Sequence, residues 1–411
     1  MKRNSALITV GSLVIIILGV ILLSRPEPVE AIPAFARKYS MSCTTCHAPI
    51  PRLKAYGDDF AGNGFVLADQ EATRYFVKTG DDHLDLIRDL PIALRLEGYV
   101  KHQTETGRET DFSSPYKLKL LSGGSLTDNV AYYFVFFLSE RGEVIGLEDA
   151  LFMFNDILEE QDLDFYIGQF QAADPLFKSD LRLTYENYQI YKTKVLKGST
   201  FGLSYDRGVM VTYGLPTGTD IILEVLNGNG IDEADEYKVY DKDKYKNVAG
   251  RISQDIGENL RLGVFGLYGK ETLIAEPDTI LFPGAGDVYY NNEGWIAGPD
   301  MTATWKDKLE LNLQYLERRD DAFSFAKGAT EEIETRGGLA ELIIMPDGDR
   351  SRWYAAALYN KIDSDLDDSD YETFTAHIGY VLRTNIRLIL ENTYDIENEE
   401  NRVVLGFVAA F

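Results

Sequence analysis

Apolar residues recur at every second position through most of the chain after Pro91. The segment Leu309–Tyr315 shows this most clearly, since its odd-numbered residues are Leu, Leu, Leu and Tyr and its even-numbered residues are Glu, Asn and Gln. Successive side chains of a strand point to opposite faces, so a period of two separates an apolar face from a polar one. We expect lipid on the apolar face and a wet lumen on the polar face, as in a transmembrane β-barrel.

The alternating segments, counted along the chain, give roughly sixteen strands of about ten residues each. Short turns alternate with long, mostly acidic loops, which we place at about 172–207, 228–245, 270–298, 319–335 and 362–372. This rhythm is typical of outer-membrane barrels, whose periplasmic turns are short and whose extracellular loops are longer. The last strand ends at Phe411, and a terminal aromatic residue resembles the insertion signal of such barrels. The predicted fold class is all-β, a roughly 16-stranded antiparallel transmembrane β-barrel.

The loop at 172–207 carries a group of basic residues in an otherwise acidic chain: Lys178, Arg182, Lys192, Lys194 and Lys197. Its position after the fifth predicted strand resembles that of the loop that folds inward and narrows the channel of general porins. The alternative is a solvated surface loop, because runs of charge are usually just hydrated. The sequence leaves both interpretations open.

The N-terminus has the three parts of a secretory signal peptide. Lys2 and Arg3 form the charged start, an apolar run extends from Ala6 to Leu23, and Ala31 ends a small-residue cleavage site. We therefore predict that residues 1–31 are removed on export. The alternative is an uncleaved anchor, because the apolar run is near the lower length limit for a membrane-spanning helix.

Both cysteines of the chain lie in the segment Cys43-Thr44-Thr45-Cys46-His47. This is the CxxCH attachment signal of c-type haem. Two thiols three positions apart on one helical turn can each form a thioether to a haem vinyl group, and His47 then presents an imidazole to the iron as the proximal ligand. The rival interpretations are a redox disulfide, which prefers a βαβ setting, and a zinc half-site, which needs further ligands. We predict one covalent haem c on Cys43, Cys46 and His47.

The second axial ligand of the haem iron is harder to assign. Met41 lies too close in sequence to Cys43 to reach the opposite haem face, and His102 and His377 fall on predicted strands, facing outward and into the lumen respectively. His83 lies in a polar segment that can fold back, so we predict it as the distal ligand. The alternative is a solvated loop histidine, with water or another side chain in the sixth position.

The overall charge excludes one class of partner. The chain has 41 Lys and Arg against 66 Asp and Glu, a net charge of -25. Such a chain repels phosphate backbones instead of neutralising them, so we expect no nucleic-acid partner. The 25 Tyr, 21 Phe and 35 Gly suit an aromatic-rich β protein.

Taken together, these features resemble the fused cytochrome-porin family of outer-membrane proteins, in which a monohaem c-type cytochrome is joined to a porin-like barrel. The resemblance is carried by Ile32–Tyr39 before the haem motif, and by Pro51–Gly57 and Phe60–Phe65 after it. A weaker resemblance to phosphate-selective-type porins surrounds Gly168–Phe170 and Arg207–Met210. The resemblance implies three parts: a signal peptide at 1–31, a short, mainly helical cytochrome segment at 32–90, and a barrel at 91–411.

The family resemblance implies electron transfer across the outer membrane of a Gram-negative bacterium. An extracellular donor, iron(II) for an iron(II) oxidase, would supply the electrons, and a periplasmic electron-carrier cytochrome would accept them. Since the apolar band of a barrel is about 25 Å tall, we expect the cytochrome segment to insert into the barrel as a plug.

Two alternatives remain open: a solute or anion porin with a haem-bearing segment, and a periplasmic all-β protein with a cytochrome head. Homotrimers are common among sixteen-strand porins, although no residue pattern here specifies one.

Overall fold

The computed structural model describes residues 34–67, 76–77, 79–81, 83–88, 90–104, 109–158, 160–241, 243–276, 286–366 and 369–411. The predicted signal peptide at 1–31 lies outside these residues. From Pro33 to Phe411 the chain forms one compact unit. Among the described helices, none has the length and apolar character needed to cross a membrane.

The N-terminal segment contains two short helices, α1 (Ala34–Tyr39) and α2 (Ala55–Gly62), with a 3₁₀ turn at Cys43–Thr45 between them. A two-stranded ribbon follows, formed by β1 (Phe76–Val77) and β2 (Leu86–Ile87). Helix α1 is only six residues long, so its stability must come from packing rather than from helix propensity.

Sixteen antiparallel strands form a closed barrel, which confirms the predicted fold class. They are β3 (Ile92–Gln103), β4 (Thr110–Ser125), β5 (Val130–Glu140), β6 (Gly146–Phe154), β7 (Asp162–Gln171), β8 (Tyr205–Leu215), β9 (Thr219–Leu226), β10 (Asn247–Ile256), β11 (Leu260–Ala275), β12 (Val288–Trp305), β13 (Leu309–Ser324), β14 (Ala329–Ile344), β15 (Trp353–Ser364), β16 (Tyr371–Arg383), β17 (Ile386–Asp395) and β18 (Glu400–Ala410).

The barrel closes where its last strand pairs with its first. Strand β18 runs antiparallel to β3, with Arg402 opposite Gln103 and Ala410 opposite Arg95. Beyond the end of β18, Phe411 exchanges two backbone hydrogen bonds with Leu94, of 2.7 and 2.9 Å. Closure leaves no open strand edge, which is the condition for a sheet to span a bilayer.

The outer surface of β12 has the chemistry of a membrane-facing strand. Trp295 and Trp305 are exposed on the same outward face, ten positions apart, and the outward residues between them are Ala297, Pro299, Met301 and Ala303. Ten residues of a tilted strand cover about 25 Å along the barrel axis, the height of the apolar band between the two aromatic girdles of outer-membrane barrels. The closed barrel and this band confirm the expected outer-membrane location.

The predicted extent of two loops, at about 270–298 and 319–335, is wrong. Strands β11 to β14 continue well into both ranges, and only 325–328 separates β13 from β14. Charged residues appear on the outward face of these extensions, as in the Lys270–Glu293 and Arg319–Glu332 ion pairs. Backbone pairing therefore continues beyond the lipid, where both faces are hydrated and the alternation on which the prediction depended disappears.

The depth of an outward residue should set the cost of charging it. We expect Leu313→Arg, in the middle of the apolar band on β13, to lower the free energy of unfolding by about 2–4 kcal/mol. Leu309→Arg, at the end of the same strand and the same face, should cost about 0–1 kcal/mol. Denaturant titration of the protein refolded into lipid vesicles measures both. Equal costs would mean that β13 does not cross the membrane as described.

Candidate functional site

The CxxCH motif folds as one helical turn. Cys43 O accepts hydrogen bonds from the N–H groups of Cys46 at 3.2 Å and His47 at 2.9 Å, and Ser42 caps the turn by accepting from Thr44 N. Both cysteines are free thiols on this turn. The three residues predicted to hold the haem are therefore brought together by local structure alone.

The imidazole of His47 is oriented by its surroundings. Its Nδ1 lies 3.0 Å from Pro51 O and 3.3 Å from Arg52 O, so this nitrogen donates to the backbone. The neutral ring then carries its proton on Nδ1 and keeps the Nε2 lone pair for another partner. Burial lowers the pKa of His47, and the nearby Arg95 charge also lowers it. A neutral histidine with an oriented, free Nε2 is what a haem-iron ligand requires.

Helix α2 packs so closely on the motif that one position must be glycine. A Cβ built on Gly57 would lie 2.4 Å from Cys46 O, a backbone atom that cannot move aside cheaply. Lys54 N donates to the same carbonyl at 2.9 Å. The approach of α2 to Cys46 therefore fixes the segment that follows the motif against the motif itself.

An aromatic cluster joins the N-terminal segment to the inner wall of the barrel. Phe35 stacks on Phe65 with ring centroids 4.9 Å apart and meets Phe60 edge to face at 5.2 Å. Phe65 in turn lies 5.8 Å from Tyr133 of β5. Cys46 packs against this cluster, which also contains Ala131, Met153 and Tyr166 of the wall. The fold thus brings Met153 and Cys46 into one apolar cluster, although the two are far apart in sequence.

Polar contacts hold the same segment in the barrel mouth. Asn155 donates through Nδ2 to Gly62 O, Ser125 donates to Gly64 O at 3.2 Å, and Arg52 pairs with Glu310 at the start of β13. Asn155, Ser125 and Glu310 lie near the barrel end that carries the short turns. Residues 34–67 therefore occupy the short-turn mouth of the barrel, as the plug hypothesis expects.

The surroundings of the thiols argue against the two rival chemistries. Burial raises the pKa of both Cys43 and Cys46, whereas a reactive redox pair needs a lowered one. Within the described ranges, neither cysteine belongs to a group of three metal-ligating side chains, as a zinc site would require. The turn, the free thiols and the oriented His47 fit a covalent haem c.

The other histidines lie apart in the structure. His83 is exposed in the turn that follows β1, where its backbone N–H donates to Asp81. Its role as distal ligand stays a prediction. His377 faces the lumen, as predicted, and is buried beside Glu391, while His102 is exposed next to Thr110.

The loop between β7 and β8, at 172–204, folds into the lumen. Four side chains of this loop are buried: Tyr188, Tyr191, Phe201 and Leu203. They pack against lumen-facing residues of the wall: Phe265, Leu267, Ile296, Leu316, Leu339 and Leu358. The inward interpretation of this loop is therefore correct, and the expectation of a wet lumen is wrong at this level. Its lysines 178, 192, 194 and 197 remain exposed.

Two buried carboxylates hold the loop backbone. Glu391 accepts from the N–H groups of Tyr185 at 2.6 Å and Glu186 at 2.8 Å. On a different part of the wall, Glu271 accepts from Thr200 N at 2.9 Å. A backbone N–H buried without an acceptor is costly, so each carboxylate fixes the loop where it passes.

Sequence reasoning missed these lumen residues individually. Arg387 and Glu391 occupy polar positions of a predicted alternating strand, where the pattern predicts a lumen-facing side chain but not its partner. Glu271 falls in the range that was predicted as a loop. Their partners lie in the inward loop, and Glu391 and Glu186 are about two hundred positions apart in sequence. Only closure of the barrel brings such pairs together.

No protein-family model matches the chain, and no curated protein matches it. Solved structures do. OmpT of Vibrio cholerae, in its trimer form, has a TM-score of 0.54 at 11% identity, over 79% of this chain and 99% of that one. OprB of Pseudomonas putida gives 0.56 at 12%, over 78% and 94%. The anion-selective porin of Comamonas acidovorans gives 0.53 at 10%, over 79% and 99%. At these identities the likeness shows the fold alone, a porin-type outer-membrane barrel.

The contact at Gly57 can be tested by a substitution. We expect Gly57→Ala to destabilise the seated N-terminal segment by about 1–3 kcal/mol through overpacking, and to speed its cleavage by added protease at least several-fold. Gly62→Ala is the matched control, because its Cβ would meet no atom within 4 Å. Mass spectrometry of the cleavage products gives the rates. Equal rates for the two variants would contradict the described packing.

The Glu391 contact predicts a local change in the inward loop. Glu391→Ala should raise the hydrogen-exchange rates of the Tyr185 and Glu186 amides by roughly tenfold or more, because both lose their acceptor. Thr375→Ala on the neighbouring strand removes a lumen hydroxyl that pairs with Thr393 and should leave these amides unchanged. Unchanged exchange in Glu391→Ala would show that other contacts hold the loop.

Proposed function

We propose that this protein transfers electrons at the outer membrane through one covalent c-type haem carried in the mouth of its barrel. Cys43 and Cys46 would form the thioether links and His47 would be the proximal ligand. The haem would supply a one-electron redox centre. The barrel would then insulate and support the haem. This is the function that the resemblance to the fused cytochrome-porin family implies.

The observation that carries this proposal is the seating of a preformed CxxCH turn inside a barrel. The turn alone would support a cytochrome, and the barrel alone would support a porin. The segment that carries the turn contacts the wall at the short-turn end, through Phe65 with Tyr133 and Gly62 with Asn155. These contacts hold the segment inside the barrel. That end faces the periplasm in barrels of this architecture.

This position has a consequence for the electron partners. A periplasmic carrier cytochrome can approach the short-turn mouth directly, whereas a donor outside the cell is separated from it by the lumen and its inward loop. We propose that electrons pass from an extracellular donor such as iron(II), which is oxidised to iron(III), to that carrier. The chain's own residues orient the His47 ring through the carbonyls of Pro51 and Arg52. Phe35, Phe60 and Phe65 form the apolar cluster that Cys46 contacts.

A second candidate function is that of a solute or anion porin whose N-terminal segment carries haem for another purpose. The inward loop at 172–204 favours it, because a loop in that position is a feature of channels that select solutes. The porin likeness of the fold also suits this function better than electron transfer. A homotrimer, the state printed for the Vibrio cholerae neighbour, is an assembly we propose for either function.

Optical spectroscopy tests the electron-transfer proposal. The protein purified from outer membranes in detergent should show a covalent c-type haem that is reduced when iron(II) is added. Cys43→Ala should lose normal attachment, and His83→Ala should alter the spectrum if His83 is the distal ligand. Reduction by dithionite but not by iron(II) would leave a cytochrome and exclude iron(II) as donor. Absence of covalent haem would exclude the proposal.

Ion conductance separates the two candidates. A barrel plugged by its N-terminal segment should conduct poorly in planar bilayers, and deletion of residues 32–90 should raise the conductance several-fold. A working porin should conduct well with the segment in place. High conductance of the complete mature chain would therefore favour the porin function over the electron-transfer one.

A further inference from the structure

A cavity in the lumen lies between the inward loop and the strands β3, β4 and β17. Six basic and three acidic side chains line it, a positive excess within a chain whose net charge is -25. The basic residues are Arg95, Lys117, Arg141, Arg182, Lys192 and Arg387. The lining of this cavity is thus opposite in sign to the protein as a whole.

Arg387 is a buried cation without a counter-charge. It is 2% exposed, and its Nη1 donates to Leu183 O at 2.9 Å and to the Tyr354 hydroxyl at 2.6 Å. Its Nε has no acceptor, and no carboxylate forms an ion pair with it among the described residues. Burying an unpaired charge costs free energy, and an anion bound beside this guanidinium would offset that cost.

Two further cations of the cavity, which are less buried than Arg387, also form no ion pair among the described residues. The three guanidinium nitrogens of Arg182 donate to backbone carbonyls of its own loop, at Ser179, Tyr185 and Glu186, and to no carboxylate. Lys192, on the same loop, forms no ion pair within the described part of the chain. The three acidic residues are already engaged: Asp180 pairs with Lys117 and Lys119, Glu97 pairs with Arg95, and Glu140 pairs with Lys117 and Arg141.

We propose that this cavity is a binding site for an anion with carboxylate or phosphate-type oxygens, held by Arg387, Arg182 and Lys192. A guanidinium with a free N–H matches the oxygens of such groups in both charge and direction. The proposal goes beyond the electron-transfer function and does not require that haem be present.

The same oxygens can come from two sources. One is a dissolved anion that enters the lumen. The other is the haem itself, which carries carboxylates and would be attached in the mouth of the same barrel. The two sources differ in one respect: a haem carboxylate would fill the site permanently, and a dissolved anion would exchange.

Isothermal titration with inorganic phosphate distinguishes them. It is run on the detergent-purified mature protein and on its Cys43→Ala, Cys46→Ala form, which carries no covalent haem. In each form, Lys192→Gln removes an exposed cation and Arg387→Gln a buried one. The control, Arg251→Gln, removes a lumen arginine that is already paired with Asp300 on another part of the wall. Heat-dependent mobility on a gel shows whether each variant has folded.

Phosphate that binds both forms, and binds roughly tenfold more weakly after Lys192→Gln or Arg387→Gln but not after Arg251→Gln, would support a dissolved anion as the ligand. Binding to the haem-free form alone, with the same variant pattern, would support the haem carboxylates. Absence of binding in both forms, or equal weakening by the control, would overturn the proposal. If Arg387→Gln does not fold, Lys192→Gln alone decides between these outcomes.

Discussion

Everything in this structure depends on the ladder between β18 and β3. A bilayer offers no water to an unpaired N–H or C=O group, so a sheet survives there only when its first and last strands meet. The two hydrogen bonds between Phe411 and Leu94 complete that closure at the short-turn end. Closure also creates an enclosed lumen, and the features proposed to be functional are found inside it.

The lumen is occupied from both ends of the barrel. From the short-turn end, residues 34–67 enter and seat the CxxCH turn against β5 and β6 through aromatic and amide contacts. From the opposite end, the loop at 172–204 enters and is fixed by Glu271 and Glu391. Between them the basic cavity remains. In this arrangement Cys43, Cys46 and His47 are half-buried in the barrel mouth.

The sequence predicted the parts of this structure that depend on period and spacing. Alternation gave the strand number, and it placed His377 correctly on the lumen side because side chains of a strand alternate without exception over a regular stretch. The local turn at Cys43–His47 was predictable because its hydrogen bonds span only four residues. The ends of strands β11 to β14 were predicted wrongly, because their hydrated extensions keep the backbone pairing but lose the apolar pattern.

The contacts between distant parts of the chain could not be predicted. Asn155 and Gly62, or Arg387 and Leu183, are joined by closure of the barrel, and nothing local to either residue indicates its partner. The basic cavity could be predicted only in part for the same reason: Arg182 and Lys192 belong to the basic group seen in the loop sequence, but only closure of the barrel brings them to cations of β3, β4 and β17.

Cross-linking between the N-terminal segment and the barrel wall tests whether residues 34–67 are seated in the barrel mouth. In a Cys43→Ala, Cys46→Ala background, Arg52→Cys is combined with Glu310→Cys on the lumen face of β13 or with Glu317→Cys on its outer face, and isolated outer membranes are treated with a short bismaleimide. We expect a cross-link for 52 with 310 and none for 52 with 317, because Arg52 pairs with Glu310 inside the mouth. A cross-link to 317, or none to either position, would contradict a segment seated within the barrel.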